Sequence, residues 1–131
     1  MLFRSDALPV ERFERTASGV LQLRVARRNG GFGWCRKPAP ELLAAAVDKI
    51  EADIGEVLPD GYRSEISLGL PDWIGQIAGC IDRGLVLLFD YGVSRREYYA
   101  RDRGEGWLRC HFRHHAHNEP LIYPGIQDLT S

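Results

Sequence analysis

No stretch of this sequence approaches the roughly 20 consecutive apolar residues that span a bilayer, so no membrane partner is expected. The N-terminus also lacks the basic head and apolar segment of a secretory signal. Cysteine is scarce. Cys35, Cys80 and Cys110 form an odd, widely spaced set without a Cys-x-x-Cys pair, which argues against a disulfide framework and for free thiols in a reducing cytoplasm. Net charge is nearly absent too: 17 Lys and Arg against 18 Asp and Glu leave −1, so no general attraction to nucleic acid is expected. There is no Gly-x-Ser-x-Gly elbow, no Gly-x-x-x-x-Gly-Lys-Ser/Thr phosphate loop, and no cysteine in a recognisable catalytic setting.

What is present suits one compact domain. The chain has 131 residues, 44% of them hydrophobic and 27% charged, enough for one real core and too few for two. Nearly all the positive charge is arginine, and Arg95, Arg96, Arg101, Arg103, Arg109 and Arg113 fall in one short stretch. Glu97, Asp102 and Glu105 are interleaved with them, which favours a solvated surface over an anion site.

Leu21, Leu23 and Val25 alternate with Gln22, Arg24 and Ala26, the period of a half-buried strand. With turn chemistry before it and at Asn29-Gly30-Gly31, residues 10–34 read as an antiparallel meander. Gly30-Gly31-Phe32-Gly33 is accordingly a hairpin turn rather than a phosphate cradle. Pro38-Ala39-Pro40-Glu41 announces a helix, Leu43, Val47, Ile50 and Ile54 form its apolar stripe, and Gly55 ends it. Leu58-Pro59-Asp60-Gly61 is a turn. A second helix is expected from Pro71-Asp72, burying Trp73, Ile77 and Ile81 before Gly84. After Gly92 a loop or exposed helical turn is expected as far as Glu105. Trp107, Arg109, His111 and Arg113 then alternate with Leu108, Cys110 and Phe112, which predicts a late strand. Asp128 and Thr130 resemble helix-start residues.

The most telling run is Gly84-Leu85-Val86-Leu87-Leu88-Phe89-Asp90-Tyr91-Gly92. Unbroken apolarity predicts a strand covered on both faces, and in open α/β sheets ligands collect beyond the carboxyl ends of such strands. Asp90, Tyr91 and Gly92 are therefore site candidates, with an ordinary Asp-x-Gly turn as the alternative. One helix–strand unit is half a fold, because a parallel strand needs parallel neighbours.

His111, His114, His115 and His117 are clustered, yet His-x-x-His-His-x-His matches no familiar zinc spacing. Cys110 and Glu119 could complete a ligand set. A polar loop is the preferred reading, and no metal is expected.

Four blocks, taken together and in order, resemble the MidA-type S-adenosylmethionine-dependent methyltransferases. They are Asp6-Ala7-Leu8-Pro9-Val10-Glu11-Arg12-Phe13; Tyr62-Arg63-Ser64-Glu65-Ile66 with Trp73-Ile74; the run to Asp90-Tyr91-Gly92 continued by Arg95-Arg96-Glu97-Tyr98-Tyr99; and residues 110–117 with Pro124-Gly125-Ile126-Gln127-Asp128-Leu129-Thr130. The resemblance implies a class I methyltransferase of α/β type: part of a Rossmann-like sheet with helices, plus the antiparallel meander near the N-terminus. It divides the single domain into a meander over residues 1–36 and an αβ portion over residues 37–131 carrying the Asp-Tyr-Gly strand end.

The resemblance further implies S-adenosylmethionine as cofactor and, from mitochondrial relatives associated with arginine methylation during assembly of respiratory complex I, a protein arginine as acceptor. It makes Asp6 and Asp90 the catalytic acids, with Pro9, Tyr91 and Gly92 as walls and Gly125, Asp128 and Thr130 as further substrate-binding residues. The family's Gly-x-Gly cofactor loop and its second-strand acid have no counterpart here, and Met1-Leu2-Phe3-Arg4-Ser5 stands where the family carries Asn-Glu and two further residues. The chain is therefore expected to be an interior slice of a longer enzyme, inactive alone. The alternative is a binding or oligomerisation module that associates through exposed sheet edges. Either way, a half-covered apolar strand should leave it marginally stable or prone to association.

Overall fold

The computed structural model describes residues 8–88 and 92–131. The expected meander is present and longer than predicted: β1 (Glu11–Thr16), β2 (Gly19–Arg28) and β3 (Gly31–Pro38) pair antiparallel in sequence order. Asn29 and Gly30 both take positive φ, 47° and 81°, as the tight hairpin turn between β2 and β3 demands. A fourth strand, β4 (Arg63–Ile66), adds to the other side of β1, giving the order β3-β2-β1-β4.

Helix α1 (Glu41–Ile54) forms where proline, acid and apolar stripe predict it. Gly55 ends it in the left-handed conformation, φ 78°, and its N–H bonds to the carbonyl of Glu51 at 2.9 Å. Leu43, Val47, Ile50 and Ile54 are buried against Phe13 of β1, together with Leu58, Tyr62 and Tyr99. That cluster is the core. The Pro59–Tyr62 turn feeds β4, its Gly61 at φ 80°.

The second helix, α2 (Leu70–Gly79), carries Pro71 in its first turn. It buries none of its residues: Trp73 and Ile77 are half-buried, and Ile74 and Ile81 are exposed. The strand expected after it is not seen either. Among the described residues, 84–88 pair with no strand, and Leu85 and Leu87 are 79% and 64% exposed. The correction has one physical cause. A parallel strand is held by neighbouring strands, and residues 8–88 and 92–131 supply only antiparallel ones. Phe89, Asp90 and Tyr91 lie outside the described residues, as does Asp6.

Beyond Gly92 the expected helical turn is α3 (Arg95–Tyr98), closed by a reciprocal cap between Ser94 and Glu97 and followed by a 3-10 turn, Arg101–Arg103. A second, three-stranded antiparallel sheet follows: β5 (Arg109–Phe112), β6 (His115–His117) and β7 (Asp128–Thr130), in the order β6-β5-β7. Its central strand was expected, with Cys110 fully buried. Asp128 and Thr130 begin no helix. They belong to β7, where Thr130 pairs with Arg109 and Asp128 with His111, because strand partners override a local start signal.

Phe13 is the one β1 side chain fully enclosed under α1. Phe13→Ala is expected to cost about 3–5 kcal/mol, read as a lowered midpoint in a circular-dichroism thermal melt. A melt unchanged by this substitution would mean that the α1–β1 contact is not the core.

Candidate functional site

Alternation along β1 sends Phe13 to the core and Arg12 and Glu14 to the opposite face, where the register sets Arg12 beside Glu65 and Glu14 beside Arg63. Opposite charges on directly facing positions make two ionic rungs. Arg12 Nε donates to Glu65 Oε1 at 2.9 Å, and the Glu65 side chain is fully buried. The main-chain N–H of Trp107 donates to Glu65 Oε2 at 2.8 Å. In the second rung Glu14 accepts from Arg63 at 2.8 Å and from Arg36 at 3.0 Å. Burial alone would raise the Glu14 pKa, but the hydrogen bonds and charges of Arg63 and Arg36 outweigh it and hold the carboxyl below its usual range.

A cavity of about 560 Å³ opens at the Arg12–Glu65 end of this face, where residues 8–10 and the end of β7 meet the sheet. Apolar walls come from Val10, Leu23, Val25 and Leu129. The Arg12 guanidinium sits 5.0 Å from the centre of the Trp34 ring, a cation–π contact that orients both groups. Arg12 is further held by the carbonyl of Glu105 at 3.0 Å. Both Glu65 oxygens are occupied, so Glu65 is an anchor and not a base. Glu11 also lines the cavity, and its Oε2 accepts from Gln22 Nε2 at 2.6 Å. Arg12 and Arg24 line the same cavity, so its wall carries both signs of charge.

Two of the expected site residues, Pro9 and Thr130, meet at this cavity although 121 positions separate them. Gly92, Gly125 and Asp128 are exposed and do not line it. Asp6, Asp90 and Tyr91 fall outside the described residues. Sequence reasoning missed Arg12, Glu65, Trp34 and Glu11 as site formers. Arg12, Glu11 and Glu65 stand inside two of the blocks that carried the family resemblance, and that was the available signal.

The arginine-rich stretch is mostly structural clamp. Arg95 pairs with Asp53, Arg96 bonds the carbonyl of Ile54 at 2.8 Å, and Arg101 bonds Glu56 at 2.8 Å, so three arginines grip the C-terminal end of α1 where its dipole favours cations. Arg103 lies 4.3 Å over the Trp107 ring. The histidine run forms the β5–β6 hairpin, and among the described residues no group of three or more His, Cys, Asp or Glu is placed to hold a metal ion. Burial pushes the Cys110 thiol up, which makes it a poor nucleophile. Burial and the nearby Glu65 charge push Tyr62 up to about 12, so it stays a neutral hydrogen-bond donor to the carbonyl of Ala100. Among the described residues no helix is long and apolar enough to cross a membrane.

Two antiparallel sheets with helices define a mixed α/β protein, and its likeness to solved structures gives the class. One is a COG1565 superfamily member from Burkholderia thailandensis bound to S-adenosyl-homocysteine, 33% identical, with a TM-score of 0.83 over 96% of this chain and 32% of that one. Another, a native crystal structure of a COG1565 superfamily protein from the same organism, is 32% identical with a TM-score of 0.84, over 96% of this chain and 33% of that one. This chain thus spans about a third of the length of the structures it matches. The sequence profile described as "Putative S-adenosyl-L-methionine-dependent methyltransferase" matches residues 5–131, and the chain belongs to that family. No curated protein matches it.

Gly106, at φ 84°, leaves room for the buried carboxylate: a Cβ there would stand 2.5 Å from both Glu65 oxygens. Gly106→Ala is expected to cost about 2–4 kcal/mol from the clash and left-handed strain together, seen as a lower thermal midpoint. An unchanged midpoint would show that Glu65 is free to move.

Glu14 sets an acid limit. Because its folded pKa lies below the ordinary 4.5, its stabilising share is complete above that value and is lost as pH falls through the folded pKa. Glu14→Gln should flatten the loss of thermal midpoint below about pH 4.5 relative to the native chain; parallel curves would contradict the arrangement.

Proposed function

We propose that this chain forms the acceptor-facing part of a MidA-type methyltransferase that moves the methyl group of S-adenosylmethionine to a protein arginine. The observation that carries the reading is the 33% identity, over nearly the whole chain, to a protein bound to S-adenosyl-homocysteine, the product such a transfer leaves. On this reading the cofactor loop is supplied by sequence outside residues 1–131, and the chain alone does not catalyse.

The chemistry asks little of the protein covalently. The sulfonium methyl passes to a guanidino nitrogen, the sulfonium becomes a neutral thioether, and the nitrogen's proton leaves to a carboxylate. Asp6 and Asp90 are the acids assigned to that proton and to orienting the guanidinium. Pro9 and Thr130 shape the pocket around the acceptor, and Tyr91, Gly92, Gly125 and Asp128 complete the proposed acceptor region. A reducing cytoplasmic setting agrees with the free thiols Cys35, Cys80 and Cys110.

The test is a chimera in which residues 5–131 replace the matching third of the Burkholderia protein. It should transfer labelled methyl to arginine of an acceptor protein, and Asp90→Asn or Asp6→Asn should lower turnover about 100-fold or more. A folded chimera that binds S-adenosyl-homocysteine yet methylates no arginine would refute the acceptor assignment.

A second reading, a non-catalytic association module, is favoured by the uncovered Leu85–Leu88 run and by the bare side of α2. It predicts a dimer or larger species for residues 1–131 in light scattering. A monomer would count against it.

A further inference from the structure

The long hairpin of β2 and β3 carries a charge that the whole-chain sum conceals. Residues 17–40 contain Arg24, Arg27, Arg28, Arg36 and Lys37 and no acid at all, while the chain as a whole is at −1. All five cations are exposed. Arg36 is partly committed to Glu14, whereas Arg24, Arg27, Arg28 and Lys37 make no ion pair with a carboxylate among the described residues. From Arg24 to the end of β3 no residue is buried, so this half of the hairpin projects beyond the core.

The sheet order leaves β3 as an edge strand, with one row of backbone donors and acceptors unpaired within the described residues. Register divides its side chains by face. Phe32 stands beside Arg27 and Trp34 beside Val25 on one face, and Phe32 and Val25 are 54% and 51% exposed. On the other face β3 offers Gly31, Gly33, Cys35 and Lys37 beside Arg28, Ala26, Arg24 and Gln22. The small residues matter there. A Cβ at Gly33 would come within 3.2 Å of Arg28 Cδ, so the Arg28 side chain already lies across the glycine toward the open edge.

We infer that β3 is a docking edge for an extended, acidic segment of a partner protein, which adds as a fifth strand with acids on the Arg24–Arg28–Lys37 face and apolar residues beside Phe32 and Trp34. Backbone hydrogen bonds supply affinity in this mode, and alternate side chains supply selectivity. Charge complementarity selects this occupant. A second copy of the chain would set five cations against five, and one face of Trp34 is taken up by Arg12, which limits base stacking. The inference needs neither cofactor nor turnover, although Arg24, Val25 and Trp34 also line the cavity assigned to the acceptor.

The test uses residues 1–131 and a fluorescein-labelled ten-residue peptide alternating Glu and Val, followed by anisotropy at low salt. The peptide should bind and should weaken several-fold as salt rises. The triple substitution R24E/R28E/K37E, checked for an intact melt, should weaken it tenfold or more. Methylating one alternate set of the peptide's backbone nitrogens should abolish binding while methylating the other set spares it, a ligand-side control that no folding defect can mimic; equal effects of the two sets would overturn strand addition. Equal binding of a Lys-Val peptide or of a block Glu-then-Val peptide would overturn the inference, as would tighter binding of oligouridylate than of the Glu-Val peptide.

Discussion

Glu65 is a carboxylate with no exposed side-chain surface, and the two halves of the molecule meet on it. Arg12 of β1 grips one oxygen, the main chain at Trp107 grips the other, and Tyr99 donates to its carbonyl at 3.0 Å. A buried charge is tolerable only when paired and fully hydrogen-bonded. The segment before β5 must therefore lie against β4, and the end of β7 then lines a cavity together with β1 and β2. Trp107 secures the approach through its indole N–H to the carbonyl of Tyr98 at 2.7 Å and by stacking on the Tyr98 ring. The cavity at the Arg12–Glu65 end is a consequence of that junction.

The other constraint is an apolar surface left over. The core under α1 holds its apolar stripe, but α2 and residues 84–88 leave Ile74, Leu85 and Leu87 exposed among the described residues. The chain spans about a third of its matched relatives, and its most hydrophobic described run stays exposed. The arginines after it tell the same story of local sufficiency: they close on α1 and on Trp107 and need nothing further.

Local chemistry was enough for much of this. The Asn29-Gly30 turn, the α1 stripe with its Gly55 stop, the Pro59–Gly61 turn and the β5 alternation were all legible, because each depends on φ preference or on periodic burial within a few residues. The family was legible as well, from ordered blocks. The strand Arg63–Ile66 was not, since Arg-Ser-Glu-Ile has no apolar alternation and is buried by pairing with a distant strand. The sequence signal at residues 85–88 failed for the converse reason: its apolarity is real, but no strand among the described residues pairs with it.

By itself, then, the sequence determined the β2–β3 hairpin, the placement of α1 and membership of a methyltransferase family, all of them written in short-range spacing or in ordered motifs. Only the tertiary structure decided that Glu65 would be buried against Arg12, that Pro9 and Thr130 would share one cavity, and that five cations would stand on a single projecting hairpin. Those outcomes depend on strand register and on the closing of one sheet over another, and a register is a relation between distant segments that no local pattern encodes.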